Sequence, residues 1–286
     1  KKKIIIASYI FPPLNSPGSD RTYSFAKYLS EFGHDVTVVT AKLSGDLDYN
    51  LKSFKVYTVG GDSKNIVASV NLKASILLNI ARKMAFTEII RILPFCKILR
   101  NESKWLDSSF SLISELIRDN GCDILITSHP PSETIKLGSK LKSTLPKLKW
   151  IADYRDLFSR NHMANYYVLI RYLLGLYEKF LIRNVDQFIF ASEGLMIDQE
   201  SLLLKLTKKS IVYNGFWNIL NKPKVNKKSK NRLLVYTGSL YDGERDIESL
   251  VRFIGAVHGY VLNIAVFSQK EKDIIDHLIS KYNVNQ

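Results

Sequence analysis

The stretch that decides the fold runs from Lys3-Ile4-Ile5-Ile6-Ala7-Ser8-Tyr9 through Ile10-Phe11-Pro12-Pro13-Leu14-Asn15-Ser16-Pro17-Gly18-Ser19-Asp20-Arg21 to Thr22–Phe32, Gly33 and Val36–Thr40. The first seven residues form a short apolar run suited to a buried strand. Thr22 to Phe32 is amphipathic and reads as a helix, closed by Gly33 as its C-terminal cap. Val36 to Thr40 reads as the next strand. Strand, glycine-bearing loop, helix and strand make the opening βαβ unit of a doubly wound sheet. Gly18 permits close approach of the backbone to a ligand, and the helix behind it aims unpaired N–H groups at the same place. An anion such as a diphosphate suits that position.

A dinucleotide site does not fit. The G-x-G-x-x-G fingerprint is missing, and Ala41-Lys42 stands where an acidic ribose ligand is expected.

The rest of the chain bounds the function. At 286 residues it is long enough for about two domains. Cys96 and Cys122 lie far apart and form no C-x-x-C pair, which speaks against a disulfide framework or a zinc site and fits a reducing, cytoplasmic setting. No stretch reaches the roughly 18 uninterrupted apolar residues of a membrane span. The net charge of +14 fits nucleic acid, an anionic membrane surface or a polyanionic substrate. Nucleic acid ranks lowest, because neither an aromatic RNA-binding motif nor a basic recognition helix is present. Residues 66–99 carry apolar positions interleaved with Lys73, Arg82, Lys83 and Arg91 and read as basic amphipathic helices able to lie on an anionic bilayer.

The βα rhythm continues. Strands are expected at Phe54–Val59, Asp123–Thr127, Trp150–Ala152, Gln187–Ala191 and Ile211–Tyr213, and helices at Trp105–Asn120, Glu133–Leu145 with Ser132 as N-cap, Tyr166–Asn184 and Glu193–Leu206. Residues 221–232 are polar and lysine-rich, as a solvated linker is. Beyond them come strand Leu233–Thr237, a Gly238 loop, a helix from Asp246, strand Val261–Phe267 and a helix from Lys270. The expected organisation is a domain over 1–215 and a partial second domain over 216–286.

In open α/β sheets ligands bind beyond the carboxyl ends of the strands. Four segments occupy such ends. They are the Gly18 loop, Ser128-His129-Pro130-Pro131, Asp153-Tyr154-Arg155-Asp156 and the loop from Gly238 to Arg245. His129 is a candidate base or sugar-hydroxyl ligand. Asp153 and Asp156 can orient or deprotonate a hydroxyl, and Arg155 can hold a phosphate or fix the carboxylates; a structural ion pair bracing the domain is the other reading. Gly238, Ser239 and Arg245 repeat the glycine-loop device, with a guanidinium added for a diphosphate. No cluster of hard ligands for a metal is apparent, so no metal and no cofactor are expected.

Taken in order, Phe11-Pro12-Pro13…Gly18-Ser19-Asp20-Arg21, Thr127–Ser132, Ala152–Asp156, Ala191–Leu195, Tyr213-Asn214-Gly215-Phe216 and Tyr236–Tyr241 resemble the GT-B-fold retaining glycosyltransferases of family 4 that build bacterial surface polysaccharides. The resemblance implies an α/β, GT-B type fold, with a Rossmann-like acceptor-side domain and a partial Rossmann-like domain for the nucleotide sugar. It implies transfer of a sugar from a UDP- or GDP-sugar to a glycan or lipid-linked glycan, with retention, by a cytoplasmic enzyme peripheral to the inner face of the plasma membrane. It places Gly18, Gly238 and Arg245 at the diphosphate, and His129 and the Asp153–Asp156 group on the sugar and acceptor side. The family's Glu-x7-Glu pair is not in these 286 residues, so a truncated chain of little or no activity is expected. A GT-B-fold sugar-nucleotide epimerase and a non-catalytic, membrane-peripheral glycan-binding module are the alternatives.

Overall fold

The structure is a computed structural model. It describes residues 1–45, 53–60, 101–161, 168–203, 207–215, 232–240, 245–266 and 268–284, with the backbone alone at 101–103. The segment 66–99 and most of the 221–232 linker lie outside the described residues. The chain divides into two compact units, Lys1–Ile219 and Leu220–Gln286.

Among the described residues the first unit is built on seven strands: β1 (Lys3–Ser8), β2 (Asp35–Thr40), β3 (Lys55–Thr58), β4 (Ile124–His129), β5 (Lys149–Tyr154), β6 (Gln187–Phe190) and β7 (Lys208–Ile211). All pair in parallel, in the order β3-β2-β1-β4-β5-β6-β7. The central strands read as near-continuous apolar runs because helices cover the sheet. On one face Ile4, Ile6 and Val38 pack with Phe11, Tyr23 and Ala26, the last two from helix α1 (Pro17–Glu31). On the other face Leu125, Trp150, Tyr154 and Phe188 pack beneath α2 (Asn101–Asn120), α3 (Ser132–Thr144) and α4 (Val168–Ile182). A short α5 (Glu193–Gln199) runs into a 3-10 turn at Glu200–Leu202.

Several helix boundaries differ from the sequence expectation, the helix expected over Glu193–Leu206 ending at Gln199 among them, and two bear on function. Helix α1 starts at Pro17 rather than Thr22. Ser16 is its N-cap, its side chain accepting from the Ser19 N–H at 3.1 Å, and Pro17 sits in the first turn, where no N–H is needed. Gly18 therefore lies inside the first turn of α1, not in a loop. Helix α3 starts at Ser132 itself, with Pro131 as N-cap and no side-chain cap bond, so Ser132 is not the cap. Gly33 and Gly121 adopt positive φ (84° and 72°) just beyond α1 and α2, a conformation only glycine takes without strain.

The second unit holds β8 (Arg232–Tyr236) and β9 (Tyr260–Ile264), paired in parallel, with α6 (Glu248–Ala256) and α7 (Gln269–Lys281). Its core gathers Leu240, Ile247, Val251, Ile275 and Leu278. Among the described residues no helix is long and apolar enough to cross a membrane.

Gly138 shows how closely α3 lies on the sheet. A Cβ there would stand 2.3 Å from Cε2 of the buried Trp150 indole, whose Nε1 donates to Thr127 Oγ1 at 2.9 Å. Alanine is the better helix former by about 1 kcal/mol, yet the clash opposes that gain. Gly138→Ala is expected to destabilise the protein by about 1–3 kcal/mol in urea unfolding; a neutral or stabilising result would show that α3 can move away from Trp150.

Candidate functional site

The connections reverse direction between β1 and β4. The chain leaves β1 toward β2 on one side and leaves β4 toward β5 on the other. The two loops diverge at the carboxyl ends of these strands and open a crevice at the topological switch point. The first turn of α1, the end of β4 and the residue after β5 meet there.

Arg155 joins these three. Its Nε donates to the His129 carbonyl at 3.2 Å and its Nη2 to the Pro130 carbonyl at 2.7 Å. Its Nη1 lies against Gly18, where an added Cβ would stand 1.7 Å from it. Only glycine in the first turn of α1 admits the guanidinium, so cation and helix N-terminus stand side by side. Burial holds the Arg155 pKa below its ordinary value, opposed by the Asp153 and Asp156 carboxylates; an arginine stays protonated through the physiological range regardless.

Asp153 lies beneath this surface and is fully buried. It pairs with Arg21 from α1: Nη2 donates to Oδ1 at 2.7 Å, and Nε lies 3.1 Å from both oxygens. Ser128 Oγ donates to Oδ2 at 2.7 Å. Arg21 Nη1 donates to the Val212 carbonyl at 2.6 Å and to Asn214 Oδ1 at 3.0 Å. Thr40, Ser8, Ser128 and Asp153 stand in register across β2, β1, β4 and β5, a buried polar row that Arg21 meets at its β5 end. Both Asp153 oxygens thus have partners inside the protein, whereas Asp156, three residues on, is exposed.

His129 points to the opposite face of the sheet from Asp153. Its ring packs on Tyr154 and Phe158, with centroids 5.4 and 5.5 Å away. Its Nδ1 is buried and has no hydrogen-bond partner among the described residues. Burial pushes its pKa down to about 4; the backbone at Pro131 and Leu157 opposes the shift, and the nearby Arg155 cation adds to it. The imidazole is neutral at pH 7.

A second buried network holds the segment after β5. Glu178 of α4 accepts from the Tyr154 hydroxyl (2.9 Å), Gln199 Nε2 (3.1 Å), the Ser159 N–H (3.0 Å) and the Ser159 hydroxyl (2.5 Å). Burial raises its pKa, and these hydrogen bonds oppose the rise. Residues 155–158 are thereby tied down at both ends.

In the second unit, a Cβ on Gly238 would stand 2.9 Å from Arg245 Nη1, repeating the contact between Arg155 and Gly18. The Gly238 loop also holds an anion of its own. Glu271 Oε1 accepts from the Ser239 hydroxyl at 2.7 Å and from the Leu240 N–H at 2.8 Å. Residues 241–244 lie outside the described residues.

Five of the sequence-derived candidates, Gly18, His129, Asp153, Arg155 and Asp156, belong to the first unit. Gly238, Ser239 and Arg245 belong to the second. Arg21 and Glu178 were not singled out by sequence. Arg21, the fifth residue of α1, carried no local signal, because its partner Asp153 lies 132 positions away. Among the described residues no group of three or more His, Cys, Asp or Glu side chains is placed to hold a metal ion.

No protein-family model and no curated protein matches the sequence. Solved structures do match. The chain superposes on the lipopolysaccharide outer core galactosyltransferase WaaB in its apo form with a TM-score of 0.57 at 14% identity, over 99% of this chain and 65% of that one. A glycosyltransferase from Rickettsia africae ESF-5 gives 0.55 at 14% identity, over 99% and 66%. The catalytic domain of starch synthase IV from Arabidopsis thaliana, bound to ADP and acarbose, gives 0.56 at 10% identity, over 99% and 72%. The shared fold is of the GT-B type. The chain spans just under two thirds of the length of the first two of these proteins.

The buried His129 makes stability depend on pH. Its pKa is lower folded (about 4) than unfolded (about 6.5), so between these values the unfolded chain binds more protons and stability falls as pH falls. Glu178, raised by burial, acts in the opposite sense: its contribution is full below its unfolded pKa and is lost as pH rises through the folded one. Urea unfolding of the wild type and of His129→Gln between pH 6.5 and 4.5 separates the two effects. The wild type is expected to lose about 2 kcal/mol more than the variant over this window; parallel curves would show that His129 is not buried in its neutral form.

Proposed function

We propose that the protein is a glycosyltransferase-type enzyme that takes a sugar from a nucleotide diphosphate sugar and passes it to a glycan or lipid-linked glycan, with retention at the transferred carbon. The observation that carries the reading is the Arg155 guanidinium seated on Gly18, in the first turn of α1, at the switch point of the sheet. The fold shared with sugar transferases supports it.

When a nucleotide diphosphate leaves a sugar, negative charge grows on the phosphate oxygens. Prealigned donors in a site of restricted solvent stabilise that charge most effectively. Arg155 and the Gly18 N–H in the first turn of α1 are such donors, the guanidinium held before any ligand arrives by the His129 and Pro130 carbonyls and the turn by its Ser16 cap. His129, neutral at pH 7, is suited to hydrogen-bonding a sugar hydroxyl rather than to carrying charge. Asp156 is the exposed carboxylate of the strand-end group and the one available to orient an acceptor hydroxyl. Asp153 serves as a positioning residue through Arg21. In the second unit Gly238 and Arg245 offer a further diphosphate surface, with Glu271 bracing the loop between them. The donor is a UDP- or GDP-sugar, and the work is done on the cytoplasmic side of the membrane.

Thermal unfolding with a panel of UDP- and GDP-sugars tests the reading. One nucleotide class should raise the apparent stability, by about 2.7 kcal/mol at a hundredfold excess over Kd. Gly18→Ala, measured against its own ligand-free baseline, should lose most of that response because the methyl displaces Arg155. Release of nucleoside diphosphate only when acceptor is present marks a transferase; conversion of the nucleotide sugar into its epimer with no net release of diphosphate marks an epimerase. A flat response to every nucleotide sugar would contradict the proposal.

A further inference from the structure

Helix α4 is apolar on both of its sides. Inward, Ile170, Leu174 and Leu181 pack into the first unit, and its one acid, Glu178, is buried among Tyr154, Ser159 and Gln199. Outward, Val168, Leu169, Tyr172 and Phe180 are 86%, 68%, 63% and 54% exposed, and Leu173 and Leu176 join them. At 100° per residue these six fall within one continuous arc, opposite the buried one. A surface helix of a soluble domain carries polar residues there, and a contiguous exposed apolar patch marks a contact surface.

The exposed charged groups of α4 and its C-terminal end are cationic. Arg171, Lys179 and Arg183 lie on or just after α4, and the Arg183 guanidinium sits 4.0 Å from the centroid of the Phe180 ring. Beside the patch is a concavity of about 490 Å³, lined by Arg160, Arg171, Lys179, Tyr172 and Leu176, with Asp198 as its acid. Arg160 spans its rim by donating to the Asp198 carbonyl at 2.9 Å.

We propose that the outward face of α4 docks on an anionic lipid bilayer. Apolar side chains enter the acyl boundary, Tyr172 and Phe180 sit at the headgroup level, and the long cationic stems keep their charges among lipid phosphates. Charge decides against a second copy of the chain. A two-fold contact of this face with itself brings Arg171, Lys179 and Arg183 against the same cations, whereas a bilayer bearing anionic lipid supplies the opposite sign at about 1 kcal/mol per basic residue. This surface belongs to the described part of the first unit and is separate in sequence from residues 66–99.

Vesicle flotation tests the proposal without reference to nucleotide binding. The wild type is expected to float with phosphatidylcholine vesicles containing phosphatidylglycerol, and about tenfold less with phosphatidylcholine alone. Leu176→Asp/Phe180→Asp and, separately, Arg171→Glu/Lys179→Glu should each reduce flotation about tenfold or more, with unchanged circular dichroism and melting temperature. Three results would overturn it: no flotation of the wild type, flotation of either variant equal to that of the wild type, or a dimer in sedimentation velocity that the Leu176→Asp/Phe180→Asp variant dissolves while flotation stays unchanged.

Discussion

The ion pair between Arg21 and Asp153 is the constraint on which the first unit depends. It lies inside the protein, where a charge without its partner is costly and a well-bonded pair is tolerated. It joins residues 132 positions apart and ties α1 to β5. Through Val212 and Asn214 the same guanidinium reaches the segment after β7, so one side chain links elements across the reversal of the sheet. With both carboxylate oxygens occupied, Asp153 has a single arrangement available, and the first turn of α1 is fixed with it.

The site follows from that fixed position. A helix N-terminus attracts anions only weakly when it is exposed and mobile. Here the turn carrying Gly18 cannot drift from β5, and Arg155, bonded to two carbonyls at the end of β4, lies on it. The Glu178 network does the corresponding work on the far side of the β5 loop. Cation, helix end and neutral imidazole are thus fixed without a ligand, which is the preorganisation that the proposed stabilisation of a leaving group requires.

Much of the fold was legible in the sequence for local reasons. Apolar runs such as Ile4-Ile5-Ile6 and Ile124-Leu125-Ile126 mark buried parallel strands, and the candidates stand near strand ends: Gly18 in the first turn of the helix after β1, His129 as the last residue of β4 and Arg155 just past β5. The start of α1 was misplaced because Pro12, Pro13 and Pro17 read together as one loop, although Ser16 followed by Pro17 is a helix-start signal. The Asp-Tyr-Arg-Asp group carried two readings, ligand holder and structural brace, and it divides between them. Asp153 is bonded inside the protein, while Arg155 and Asp156 remain at the strand end. What settled this was Arg21, whose partner no local pattern names. The outward face of α4 was equally hidden, since a helix rich in Leu and Tyr looks the same in sequence whether one side or both are buried. Glu271 at the Gly238 loop is another long-range contact of this kind.

A double-mutant cycle on Arg21→Met and Asp153→Leu, followed by urea unfolding, tests the central claim most directly. Each single change leaves a buried charge without its partner and should cost about 3–5 kcal/mol, while the double variant should recover much of that loss, leaving a large coupling energy. Single costs below about 1 kcal/mol and a coupling near zero, as for a solvated surface pair, would contradict the account.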